Sequence, residues 1–142
     1  MAEVKNPKKL LGRLIQSGQK QSLQMESLSV RGYERVIKVT DPSVHLTAII
    51  AIHDRTLGPA IGGTRIQAYR TFQEALDDVL RLSKGMTYKA ALADVGFGGG
   101  KSVIIADPEK QKTPELLHAF GAAVESLGGI YICAEDMGCS SK

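Results

Sequence analysis

The sequence predicts an α/β domain: a mixed, largely parallel sheet flanked by helices. Three observations predict it. Short β-branched apolar runs, HLTAIIAIH (45–53), SVIIA (102–106) and IYICA (130–134), are bounded by turn residues. Two longer segments between them carry helical periodicity and capping residues. The resulting order of strand, helix, strand, helix, strand is the βαβ pattern, whose crossovers are right-handed and whose strands are parallel. A chain of 142 residues, 43% hydrophobic, fits one domain with a core that needs no disulfide or metal.

Each element has its own local cause. Glu34 to Thr40 reads as a short strand through Val36, Ile37 and Val39, and Asp41-Pro42 then turns the chain. Residues 45–53 are apolar almost throughout, as a strand covered on both faces should be. LGPAIGG (57–63) reads as a loop, with Arg65 to Tyr69 a strand after it. Thr71 and Glu74 form a capping box at a helix start. Phe72, Leu76, Val79, Leu80 and Ser83 share one face of that helix, and residues 86–95 continue or restart it after Gly85. Thr113-Pro114 opens a second helix, whose stripe is Leu116, Leu117, Phe120, Val124 and Leu127, and Gly128-Gly129 ends it. The closely spaced early strands can add an antiparallel pair.

Charge is unevenly distributed. Residues 1–20 carry Lys5, Lys8, Lys9, Arg13 and Lys20 against Glu3, so the formal net charge of +3 belongs to a basic extension over residues 1–24. Within it Leu10, Leu11, Leu14 and Ile15 recur at helical spacing; a solvated arm and a surface-binding amphipathic helix are both readings of that pattern. No basic stripe interleaved with aromatics follows, so no nucleic-acid partner is expected. The longest apolar run, Ala48 to Ile52, excludes a membrane-spanning helix. His45, His53 and His118 lack metal-ligand spacing, and Cys133 and Cys139 lack a C-x-x-C pattern, so no metal is expected. Two cysteines without a disulfide framework fit a reducing, cytoplasmic setting.

The run Gly96-Phe97-Gly98-Gly99-Gly100-Lys101-Ser102 imitates a phosphate loop. A P-loop needs its first glycine where Val95 stands, and it follows a strand rather than preceding one. The dinucleotide pattern G-x-G-x-x-G fails because its third glycine falls on Lys101. What remains is a glycine-rich entrance to a buried strand. It reads either as a turn with an exposed lysine or as a place where a desolvated Lys101 serves as a base. Asp136, just after IYICA, sits where α/β sheets bind ligands, beyond a strand's carboxyl end; it also reads as a helix cap.

Four motifs in order, GPAIGGTR (58–65), KGMTYKAA (84–91), GGGKSVI (98–104) and YICAEDMG (131–138), resemble the Leu/Val/Phe dehydrogenase branch of the glutamate dehydrogenase superfamily. The resemblance runs from about Met25 to Gly138 and implies NAD-dependent oxidative deamination of an L-amino acid to a 2-oxo acid and ammonia. L-leucine or another branched-chain aliphatic amino acid is the substrate it implies. By the same resemblance Lys89 pairs with the substrate carboxylate. Lys101 is the catalytic lysine that activates water, and Asp136 moves protons on the amino group. Gly62 and Gly63 line the site, and Ile61, Met86 and Ala134 lie near the substrate side chain. Gly100 departs from the commoner GGAK and should leave Lys101 in place.

In such enzymes a Rossmann domain follows and binds NAD. After AEDMG this sequence reads only Cys139-Ser140-Ser141-Lys142. The expectation is therefore a substrate-binding and dimerisation domain over residues 25–142, with no cofactor bound by this chain itself. It would be a homo-oligomer, served by a Rossmann domain on a continuing or separate polypeptide. The alternative is a non-enzymatic module that self-associates or binds amino or oxo acids.

Overall fold

A single strand, Gly98–Ile105, organises the molecule, because every residue from Gly98 to Ile104 is buried. The computed structural model describes residues 22–140. The amphipathic pattern read at Leu10–Ile15 lies outside the described residues. The elements run β1 (Gln24–Leu28), β2 (Arg35–Asp41), β3 (Leu46–Asp54), β4 (Ala60–Gln67), α1 (Phe72–Ala93), β5 (Gly98–Ile105), α2 (Pro114–Glu125) and β6 (Tyr131–Glu135). One six-stranded sheet has the order β1-β2-β3-β5-β4-β6.

The mixed α/β sheet is present, but its balance differs from the expected one. The β1–β2, β2–β3 and β3–β5 interfaces are antiparallel, and only β5–β4 and β4–β6 are parallel. Short connections explain the first two, since an antiparallel pair needs only a turn whereas a parallel pair needs a crossover. One such turn is a 3-10 segment, Pro42–Val44, after β2. Asp41 caps it by accepting from Ser43 N at 3.0 Å, and its carboxylate also accepts from the Ser22 hydroxyl. β1 is an element the periodicity did not suggest, because QMESL has no apolar alternation and is almost wholly exposed.

Two glycine-rich segments are strands. GPAIGG was expected to be a loop, yet Ala60–Gln67 is continuous β4; GGGK was expected to be a strand entrance, yet it forms the first half of β5. Glycine is there for close approach. A Cβ on Gly62 would overlap the Gly100 carbonyl of the neighbouring strand, and one on Gly99 would overlap Thr87 of α1. Backbone contact that tight admits no side chain.

The helices take opposite faces. Thr71 Oγ1 accepts from Glu74 N at 3.1 Å at the start of α1, and Glu74 Oε2 reaches back to Arg70 N at 3.1 Å. The helix runs unbroken through Gly85 to Ala93. Ala75, Val79, Ser83 and Ala90 are its buried residues. Ala75 and Val79 pack with Val36, Ile49, Ala51 and Val103, and the expected Phe72, Leu76 and Leu80 lie half-buried beside them. Across the sheet, α2 buries Leu116, Phe120 and Ala123 against Ile37, Ile50, Ile52, Ile66 and Ile104. Leu117, expected in this stripe, is exposed, because the buried set 116, 120, 123 follows the 3.6-residue period and leaves 117 on the flank. No described helix is long and apolar enough to cross a membrane.

Ile104 is fully buried on the α2 side, while Leu92 is 88% exposed. Ile104→Ala should therefore cost about 2–5 kcal/mol, and Leu92→Ala within about 0.5 kcal/mol of nothing. Urea unfolding of the two variants measures the contrast.

Candidate active site

Lys101 lies on the sheet face that α1 partly covers. Alternation along β5 sets Gly99, Lys101 and Val103 on that face and Gly100, Ser102 and Ile104 on the other, consistent with Thr87 lying over Gly99 and Val103 packing with Val79. The helix lies over β5 and β3 and only reaches the rim of β4. The α1 side of β4 and β6 thus stays open. Ile61 and Gly63 point there from β4, and Ala134, paired with Gly63, does so from β6.

In this opening the buried ammonium of Lys101 meets Asp136. Nζ lies 3.1 Å from Oδ2, with the Lys101 side chain only 8% exposed. The same Oδ2 accepts from Arg65 Nε at 3.0 Å. Gly63 sits beneath both: a Cβ there would fall 2.9 Å from Asp136 Cβ and 3.3 Å from Lys101 Nζ. Burial pushes the Asp136 carboxyl up. Hydrogen bonds from Lys101, the Met137 backbone and Arg65, together with the charge of Lys101, outweigh it and hold the pKa below the usual carboxylate value.

The residues singled out from sequence divide into two groups. Lys101, Asp136 and Gly63 are in mutual contact, with Ile61 and Ala134 on the same face. Gly62 faces the other way, against the β5 backbone. Met86 and Lys89 come from the C-terminal half of α1, which is set on β5 by the Thr87–Gly99 contact; Met86 is half-buried and Lys89 exposed. Among the described residues no hydrogen bond or ion pair joins Lys89 to Lys101 or Asp136. Cys133 is exposed and Cys139 half-buried, and no metal-binding cluster occurs among the described residues.

Sequence reasoning missed three supports. Arg65 shares the face of Gly63 two residues away, a signal that strand alternation carries. His53 Nδ1 and Thr87 Oγ1, 2.8 Å apart, tie β3 to α1, and burial lowers the pKa of His53. On the α2 side, Tyr131 OH donates to the Gly62 carbonyl at 2.9 Å and lies 3.0 Å from Ser102 Oγ, which lies 2.8 Å from Thr64 Oγ1. This buried trio ties β4, β5 and β6 together directly behind the glycines.

The fold that carries this lysine–carboxylate pair is one that solved amino-acid dehydrogenases share. The structure of L-tryptophan dehydrogenase from Nostoc punctiforme matches with a TM-score of 0.74 at 52% identity, covering 77% of this chain and 32% of that one. A hetero-hexameric glutamate dehydrogenase from Thermus thermophilus, in its Leu-bound form, matches at 0.55 and 27% identity, over 84% of this chain and 28% of that one. The class is thus a domain of the kind found in amino-acid dehydrogenases. Residues 33–142 match the family model described as Glu/Leu/Phe/Val dehydrogenase, dimerisation domain, and the chain belongs to that family. Phenylalanine dehydrogenase from Lysinibacillus sphaericus is 59% identical over 77% of this chain and 29% of its own length. Leucine dehydrogenase from Geobacillus stearothermophilus is 55% identical over 75% and 29%. The chain therefore spans less than a third of the length of these curated relatives.

Two outcomes test the site's construction. Because the folded Asp136 pKa is depressed, its contribution to stability is complete above the unfolded value, about 4, and is lost as pH falls through the folded value. Asp136→Asn should destabilise the protein at neutral pH, and the gap from wild type should close in acid. Denaturant midpoints at the two pH values measure it. Gly63→Ala should leave the sheet intact by circular dichroism yet displace Asp136 and Lys101, read as changed side-chain NMR shifts of both.

Proposed function

We propose that this chain is the substrate-binding half of an amino-acid dehydrogenase, taking an L-amino acid with an apolar side chain and the corresponding 2-oxo acid. The observation that carries the reading is the Lys101–Asp136 contact beside Gly63, on a face left open by α1. A substrate carboxylate needs a cation, and Lys89, exposed on the half of α1 that Thr87 sets against Gly99, is the point charge this reading assigns to it. The substrate ammonium needs an acceptor, and Asp136, ionised at neutral pH, supplies it. Lys101 serves as the group that exchanges protons with water at the α-carbon. The 3.1 Å contact between Nζ and Oδ2 gives those protons a direct path to Asp136. Gly63 keeps the floor free of a side chain, and Gly62, facing the other way, lets β4 approach the β5 backbone closely. Ile61, Met86 and Ala134 supply an apolar boundary for the substrate side chain.

NAD, the hydride acceptor the resemblance implies, is not assigned to the glycine run or to either helix start among the described residues. GFGGGK continues into buried β5 rather than opening a helix, and α1 and α2 begin after Thr71 and Thr113 with no glycine-rich loop before them. In this reading the cofactor is held by a Rossmann domain on a continuing or separate polypeptide. A cytoplasmic homo-oligomer is part of the same reading, and the description of the family model as a dimerisation domain supports the oligomer. L-leucine or another branched-chain amino acid is the substrate the motifs favour. L-phenylalanine is the second reading, favoured by 59% identity to a phenylalanine dehydrogenase against 55% to a leucine dehydrogenase.

Titration of the chain with L-leucine, L-phenylalanine and their 2-oxo acids should show saturable binding, and the tighter pair identifies the side chain. Lys89→Ala should weaken every ligand by about tenfold or more; unchanged binding would remove the carboxylate role. With NAD and the preferred amino acid, NADH absorbance should rise only when a Rossmann-domain polypeptide is supplied.

A further inference from the structure

Arg65 belongs to none of the roles assigned above, yet it is the best-connected charged side chain near the opening. Its side chain is 17% exposed. Nε donates to Asp136 Oδ2 at 3.0 Å, and Nη1 reaches Asp78 Oδ2 at 3.4 Å. Asp78 is itself held: its Oδ2 accepts from Tyr69 OH at 2.5 Å and its Oδ1 from Arg81 Nη2 at 2.7 Å. Burial acts against ionisation of Asp78, and the Tyr69 and Arg81 hydrogen bonds with the charges of Arg65 and Arg81 more than offset it. Arg65 thus spans two anchored carboxylates, one on α1 and one beyond β6. An open cavity of about 500 Å³ lies on its Asp78 side, walled by Tyr69, Asp78 and Arg81 and not reaching Lys101 or Asp136.

We propose that Arg65 is a positioning residue for Asp136, held in place by Asp78 and Tyr69, and that it fixes which carboxylate oxygen is left for the substrate. The inference rests on the reading of Asp136 as the carboxylate that takes the amino-group proton. Both Arg65 and Lys101 engage Oδ2, so Oδ1 receives neither cation. A carboxylate tied by one lysine alone can rotate about its terminal bond and exchange its oxygens. A guanidinium that donates through Nε to Oδ2 and is held at Nη1 by Asp78 restricts that freedom, because its donors have fixed directions. Oδ1 is then the acceptor for the substrate ammonium, and Oδ2 is the proton partner of Lys101. A contact that merely joined β4 to the end of β6 would contribute stability and tolerate Arg65→Lys, which keeps the charge, without loss of ligand affinity.

The experiment uses the full chain and reads the Asp136 carboxyl by carbon-detected NMR titration without ligand. It then follows the pH profile of L-leucine and L-phenylalanine binding. Arg65→Gln should raise the Asp136 pKa by about one unit or more, and the acid limb of amino-acid binding should move up by the same amount. Arg65→Lys should restore the pKa but not the affinity, since a point charge replaces the charge and not the orientation. Asp78→Asn, which keeps Arg65 and releases its far end, should weaken binding several-fold; it decides the matter if Arg65→Gln does not fold. Arg65→Lys binding as tightly as wild type, or Asp78→Asn binding unchanged, would overturn the proposal. Failure of the substrate reading is seen separately, as absence of amino-acid binding by wild type or insensitivity to Lys89→Ala.

Discussion

A buried ammonium in the middle of a sheet must be answered by a nearby negative charge, and that requirement shapes this molecule. Desolvating Lys101 without a partner would cost several kcal/mol. Asp136 provides the partner because β4 lies between β5 and β6, and the chain leaving β6 brings the carboxylate over Gly63 to Lys101. Gly63 keeps the space between them empty, and Gly62 and Gly99 let the neighbouring strand and α1 come close enough to close the site. Arg65 then balances a second positive charge against Asp136 and Asp78. The polar centre is thus satisfied throughout: no buried side-chain nitrogen or oxygen lacks a hydrogen-bond partner among the described residues.

Much of the fold was legible in the sequence, for reasons that differ by element. β3 and the latter half of β5 are continuous β-branched runs covered on both faces. The helix starts at Thr71 and Thr113 are written as capping chemistry. The glycine-rich strands were illegible because glycine carries no hydrophobic signal: Ala60–Gly63 and Gly98–Gly100 look like loops until their neighbours are known. Strand direction was misjudged for a related cause. Alternating helices and strands suggest parallel pairing, yet β3 pairs with β5 across an intervening strand and helix. Nothing local encodes that choice.

The site was legible in its residues and not in its geometry. Lys101 and Asp136 stand 35 positions apart in the sequence and 3.1 Å apart in space. Each alone had an ordinary reading, as a turn lysine and a helix cap; only the motif series joined them. Arg65 escaped because residues 57–63 read as a loop, which hid the strand alternation that puts Arg65 on the face of Gly63. Gly100 shows the opposite limit. A Cβ there would fall 2.9 Å from the Tyr131 ring and 3.1 Å from Ala60 Cβ, so an alanine would need Tyr131 to move by a few tenths of an ångström. The hydroxyl of Tyr131 is committed to Gly62 and Ser102, which makes positions 100 and 131 a matched pair that no one-position pattern reveals.

The strand order has a temporal side. β4 hydrogen-bonds only to β5 and β6, both of which follow it in the chain. While the polypeptide is being made, β1, β2 and β3 can close as a local meander, but β4 must wait for its partners to emerge. Its union with β5 closes a loop that contains the whole of α1, and non-local closures of this kind are the slow ones. The Lys101–Asp136 pair forms only after β6 has joined β4. A nascent chain that stops short of Asp136 cannot make this ion pair, so Lys101 stays without its partner until β6 has been added.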